Sequence, residues 1–73
     1  MDVDMYRCGA NIEIFLRKKG LKQKDLANAL EGNETMVSKW VRGESLPSTR
    51  SMLKMSYIFG VSLDELMEGV LIP

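Results

Sequence analysis

The stretch Gln23–Gly43, QKDLANALEGNETMVSKWVRG, limits what this chain can fold into more than any other part of it. Leu26, Ala27 and Leu30 share one helical face in its first half, and Met36, Val37, Trp40 and Val41 share one in its second. Glu31-Gly32-Asn33 lies between them. Glycine tolerates the backbone that ends a helix, and asparagine is a good cap for the start of the next. The stretch predicts two short helices joined by a tight turn, and the rest of the chain must supply the scaffold that holds them.

The flanking sequence punctuates into three more helices. Met5, Cys8, Ile12, Phe15 and Leu16 fall three or four apart and predict a first helix from Asp4 to Lys19. Lys18 and Lys19 suit the negative end of its dipole, and Gly20 stops it. The second helix is expected over Gln23–Glu31. Lys22, at its cap position, has no side-chain acceptor, and Asp25 in the first turn compensates in part. The third helix follows Asn33 and runs to about Arg42, with Gly43 as its stop. Pro47 holds Leu46 extended, and Ser48 caps a fourth helix over Thr49–Phe59, with Met52, Met55, Ser56 and Phe59 inward. Ser62-Leu63-Asp64-Glu65 is a capping box that opens a fifth helix ending near Glu68. No strand is predicted. The expectation is one all-α domain over residues 1–73, a compact five-helix bundle with its core in 8–67, the paired helices at 23–42 and an apolar tail at 69–73.

Several function classes drop out. Cys8 is the one cysteine and histidine is absent, so there is no intramolecular disulfide, no Cys/His nucleophile pair and no zinc cluster. A reducing compartment is the simple inference. The start, MDVDMYR, lacks the apolar run of a signal peptide, and no segment approaches membrane-spanning length. The expected location is the cytoplasm. No Gly-rich phosphate loop is present, and no catalytic set, cofactor or small-molecule ligand is indicated. Net charge is zero, which argues mildly against nucleic acid, but the charge is unevenly spread. Residues 1–13 carry −2, residues 14–54 carry nine basic against four acidic side chains, and residues 55–73 carry −3. A neutral chain can still present one positive face.

Two helices closed by a short Gly-containing turn fit the helix-turn-helix pattern, whose second helix can enter a DNA major groove. The sequence also resembles the lambda-repressor-like family, the Cro/phage-repressor type. The resemblance is carried by GLKQKDLA at Gly20–Ala27, VSKWVRG at Val37–Gly43, LPS at Leu46–Ser48 and FGVSLDEL at Phe59–Leu66. Each is weak alone, but the four in order at the family's spacings are specific. The resemblance covers about Cys8 to Met67 and implies a five-helix fold and sequence-specific binding to double-stranded DNA, usually as a dimer. Three departures stand out. Glu31 occupies the turn position where the family usually has glycine, and Gly32 the position of a small apolar residue. Lys22 replaces the usual Ser, Thr or Asn cap. Leu16 and Val41 stand where many members carry an Arg–Glu pair bracing the bundle. Changing both partners to apolar residues avoids a buried unpaired charge, and Leu16 is expected to pack on or near Val41.

The resemblance also assigns site residues. Asn33, Glu34, Thr35, Ser38 and Lys39 occupy the family's base-reading positions. Asn can pair with adenine, Lys can donate to guanine and Glu can accept from the cytosine amine; Asn33 can equally serve only as a helix cap. Thr35, Ser38 and Lys39 are the strongest of the five. Gln23, Lys22, Arg42, Ser45, Thr49 and Arg50 are the phosphate candidates. Trp40 and the six methionines read as core. Leu53, Tyr57, Ile58, Val61, Val70, Leu71 and Ile72 are more apolar residues than a short bundle should expose, and are expected to form a homodimer interface unless the tail folds back over the core. The expected function is a transcriptional regulator, a repressor, with the third helix in the groove. The alternative is a protein-interaction module of the same fold, an antitoxin or regulator partner with weak DNA binding.

Overall fold

Four of the five helices begin where the sequence supplies a side-chain acceptor for their free amides. The computed structural model describes all 73 residues, in the order β1 (Asp2–Val3), α1 (Met5–Lys19), α2 (Gln23–Ala29), α3 (Glu34–Val41), α4 (Thr49–Phe59), α5 (Leu63–Leu66) and β2 (Leu71–Ile72). Asp4 Oδ1 accepts from the Arg7 amide at 2.9 Å to open α1. Asn33 Oδ1 accepts from the Met36 amide at 2.8 Å to open α3. Ser48 Oγ accepts from Ser51 N at 3.2 Å before α4. The Ser62–Glu65 capping box forms as read, with both reciprocal bonds at 3.1 Å. At α2, Asp25 does more than favour the dipole. Its Oδ2 accepts from the Lys22 backbone N–H at 2.8 Å, the reach-back half of a capping box, while the other half, a side-chain acceptor at Lys22, is missing.

The five helices are as expected, with two boundary shifts and one added element. α2 stops at Ala29, because Leu30 is its cap and Glu31 takes a left-handed backbone with φ 57. α5 ends at Leu66, short of Glu68. The chain is not free of strands. β1 and β2 pair antiparallel, Asp2 opposite Ile72 and Val3 opposite Leu71, and the Asp4 amide extends the ladder to Val70 O at 2.7 Å. Two-residue strands are too short for an alternating pattern to reveal.

Each helix places one side chain at complete burial: Ile12, Leu26, Val37, Met55 and Leu66, all 0% exposed. Removal of such side chains from water stabilises a fold by about 1.5–3 kcal/mol each. Trp40 is buried, and Phe15 stacks on Phe59 with ring centroids 5.7 Å apart. Leu16 is buried and Val41 is half-buried against the same core, so both replacements pack on the bundle, Val41 at its edge.

Three further residues on α1 hold the bundle together. Gly9 is the point at which α1 and α3 meet. A Cβ there would lie 2.3 Å from the Trp40 carbonyl oxygen and 2.5 Å from that of Val41. Asn11 is buried, and its Nδ2 donates to Leu66 O at 3.0 Å and Glu68 O at 2.9 Å. Arg7 Nε adds a bond to Glu68 O at 3.2 Å. Together they satisfy the carbonyls at the end of α5, which its own short helix leaves open.

Candidate nucleic-acid interface

α3 divides cleanly between the core and solvent. Val37 and Trp40 point inward, while Glu34, Thr35 and Lys39 are exposed on the opposite side and Ser38 is half-buried between. The turn before α3 sets how this helix leaves α2. The family's glycine position is filled by Glu31, which itself adopts the left-handed conformation with φ 57. The neighbouring Gly32 leaves room for the end of Met36, whose Cε would lie 2.3 Å from a Cβ at 32.

Gln23, Glu34, Thr35, Ser38 and Arg42 line one shallow polar recess between the start of α2 and the outer face of α3. The fold thus brings together three of the expected base readers and two of the expected phosphate contacts. Lys39 is exposed on the same helix, and Lys22 is exposed beside Gln23. Asn33 acts as the cap of α3. Its Oδ1 accepts from the Met36 amide, so one of that oxygen's two lone pairs is spent on the helix start. Thr49 is exposed and Ser45 half-buried. Arg50 opens on a different recess, with Leu30, Glu31, Ser51 and Lys54 at the end of α2. It lies apart from the group around α3.

One arrangement here was not read from the sequence. Arg42 Nε forms an ion pair with Glu44 Oε2, and Arg42 Nη1 donates to Ser38 Oγ at 2.9 Å. The signal was the Arg-Gly-Glu order itself, since a left-handed Gly43 (φ 74) turns residue 44 back toward 42.

The seven apolar interface candidates do not form one patch. Val70 is buried in the chain's own core, with 6% exposure. Leu71 belongs to β2 and borders an apolar recess with Val3, Leu46, Met52 and Met67; Ile72 is its β2 neighbour. Val61 is half-buried against the core. Leu53, Tyr57 and Ile58 line a second groove with Ala29, Glu31 and Lys54, and Tyr57 is 88% exposed there. The tail partly folds back, as the packing alternative required. No group of ligating side chains converges as a metal site, and no helix is long and apolar enough to cross a membrane.

Residues 12–66 match the helix-turn-helix family. The chain is 40% identical over 58 residues to the repressor protein CI of Enterobacteria phage phi80, covering 80% of this chain and 24% of that protein. It is 39% identical over 51 residues to the HTH-type transcriptional activator BcrR of Enterococcus faecalis, covering 70% of this chain and 25% of that one. The chain therefore spans about a quarter of the length of these relatives. Among solved structures it resembles the restriction-modification controller protein C.AhdI of Aeromonas hydrophila. The TM-score is 0.79 at 25% identity, over 86% of this chain and 91% of that one. A transcriptional regulator from Listeria innocua shares the fold, with a TM-score of 0.80 at 22% identity, over 100% of this chain and 65% of that one. Sequence motifs, helix order and these matches agree: the chain belongs to the lambda-repressor-like helix-turn-helix family of DNA-binding transcription regulators.

Proposed function

We propose that this chain reads an operator by laying α3 in the major groove, and that it represses transcription as a homodimer in the cytoplasm. It carries out no catalysis in this role. The observation that carries the reading is the single polar recess in which the start of α2 and the outer face of α3 meet. Gln23 and the amides at the start of α2 suit a phosphate, while Glu34, Thr35 and Ser38, with Lys39 beside them, suit base edges. The CI relative supports repression. One such domain binds weakly, and two half-sites about one helical turn apart, roughly 34–36 Å, supply affinity. The groove around Leu53 and Tyr57 supports pairing of two copies through α4.

Selection from random duplex DNA tests this. The wild-type chain is expected to enrich one motif, and Thr35→Ala/Lys39→Ala is expected to lose it. Binding should weaken steeply with salt through counterion release. Failure to enrich any sequence at low salt would overturn the reading. It would favour a protein-interaction module instead, a reading supported by the exposed Tyr57 and by the neutralised Arg42.

A further inference from the structure

Arg42 sits at the edge of the recess with its guanidinium already engaged on two sides. One side meets the Glu44 carboxylate and the other the Ser38 hydroxyl. A serine hydroxyl has one proton to donate and two lone pairs. Because Arg42 donates into one lone pair, the Ser38 proton must point elsewhere, and the free side of Ser38 opens on the recess. Ser38 thereby has one lone pair spent and its proton left to donate. The acceptors on a base pair's major-groove edge are guanine O6 and N7, adenine N7 and thymine O4, with cytosine excluded because its edge offers only the N4 donor. Glu44 also cancels the charge that Arg42 would bring to a phosphate.

We propose that Glu44 is a positioning residue for recognition. It holds Arg42 against Ser38, so that Arg42 orients a base-reading hydroxyl and does not grip the DNA backbone. The inference rests on the DNA-binding reading above. Its consequence is an exchange of affinity for discrimination. Releasing Arg42 adds one unpaired cation near the backbone, and one more phosphate neutralised steepens the salt dependence by about 0.9 in log K against log[salt]. At about 0.1 M salt that slope corresponds to roughly eightfold tighter binding.

The test uses two labelled duplexes, one recovered by selection with the wild-type protein and one of scrambled sequence. Binding is measured across a salt series for wild type, Glu44→Gln, Arg42→Ala and the double variant. Residues 42 and 44 are both more than half exposed, so these changes leave the core untouched. Glu44→Gln is expected to bind the scrambled duplex about eightfold tighter per protomer at about 0.1 M salt, with a steeper slope. The selected duplex should gain less, so that the ratio between the two falls. In the Arg42→Ala background, Glu44→Gln should change neither slope nor ratio. If Glu44→Gln leaves slope and ratio at wild-type values, the inference fails while the DNA-binding reading stands. Equal tightening with and without Arg42 also overturns it, because Glu44 would then act only by general repulsion. If the wild type enriches no sequence at all, the DNA-binding reading fails and this inference falls with it.

Discussion

Replacing Gly9 with alanine sets two effects against each other, and the structure decides the sign. Gly9 lies inside α1, and by helix propensity alone alanine there should stabilise by about 0.5–1 kcal/mol. The added Cβ, however, would lie 2.3 Å from Trp40 O, 2.5 Å from Val41 O and 2.9 Å from Val41 C. Ordinary carbon–oxygen contacts are about 3.3–3.6 Å, so α1 and the end of α3 must separate by about 1 Å. All three obstructing atoms are backbone, so no rotamer change relieves the clash. Overpacking of this kind costs about 1–3 kcal/mol and occasionally more, and a clash confined to backbone belongs at the upper end. We expect a net loss of about 2 kcal/mol. A domain of this size has roughly 4–11 kcal/mol in total, so the variant should still fold, with Tm lowered by about 8–16 °C. The assay is urea unfolding followed by the emission of Trp40, the one tryptophan, which stands at the contact itself. Ala10→Gly, on the exposed side of the same helix, calibrates propensity and should lose about 0.5–1 kcal/mol. A Gly9→Ala protein as stable as wild type, or more so, would refute the argument that α1 and α3 meet through bare backbone.

Three further outcomes follow from local geometry. Glu31→Gly should stabilise by up to about 1 kcal/mol, because relief of the left-handed backbone is worth about 1–2 kcal/mol and glycine's extra unfolded-state freedom takes back part of it; a lowered urea midpoint would contradict this. Asn11→Ala should destabilise by about 1–3 kcal/mol through the carbonyls of Leu66 and Glu68 left without their donor, with faster amide exchange at the end of α5; unchanged stability would mean water replaces the amide at no cost. Burial pushes the Cys8 thiol above its ordinary value. The unfolded chain loses that proton at about pH 8.5, so the contribution of the neutral thiol is fully present below that pH and is lost as pH rises through the folded value. Stability above about pH 8.5 should therefore fall more steeply in the wild type than in Cys8→Ala, and parallel profiles would refute this.

Most of the fold was legible because it is written in local chemistry. Asp4, Asn33, Ser48 and Ser62 are acceptors placed at helix starts, and each caps its helix. Five apolar stripes at helical spacing give five helices with one fully buried side chain apiece. What escaped depends on partners distant in sequence. Gly9 reads as a weak point in a helix until α3 lies against it. Asn11 did leave a trace, a polar residue on the stripe of Cys8, Ile12 and Phe15. Its partners, however, lie 55 and 57 residues away. β1 and β2 join the two ends of the chain through two residues each, too few for any period to register. The recess was legible as positions, since Gln23, Glu34, Thr35, Ser38 and Arg42 do converge. The state of its groups was not. Asn33 is committed to Met36 and Arg42 to Glu44 and Ser38, and both commitments depend on side-chain geometry beyond what spacing encodes.

The way α3 is held also separates stability from recognition. Its inner face is fixed by Val37 and Trp40 in the core and by the backbone contact with Gly9. At the two positions where the resemblance implies a bracing ion pair, Leu16 is buried and Val41 packs on the core. The two ion pairs present, Glu13–Arg17 and Arg42–Glu44, lie on the surface, and pairs of that kind contribute little to stability. Salt therefore has almost nothing in the scaffold to weaken. Apolar packing is indifferent to screening, whereas phosphate contacts are not. On the proposed reading, the outer face of α3 loses DNA as salt rises while its inner face keeps the same geometry. A salt titration of binding in this protein thus reports the interface and not the scaffold, and with Arg42→Ala as the control it lets a change of slope at Glu44 be assigned to a single guanidinium.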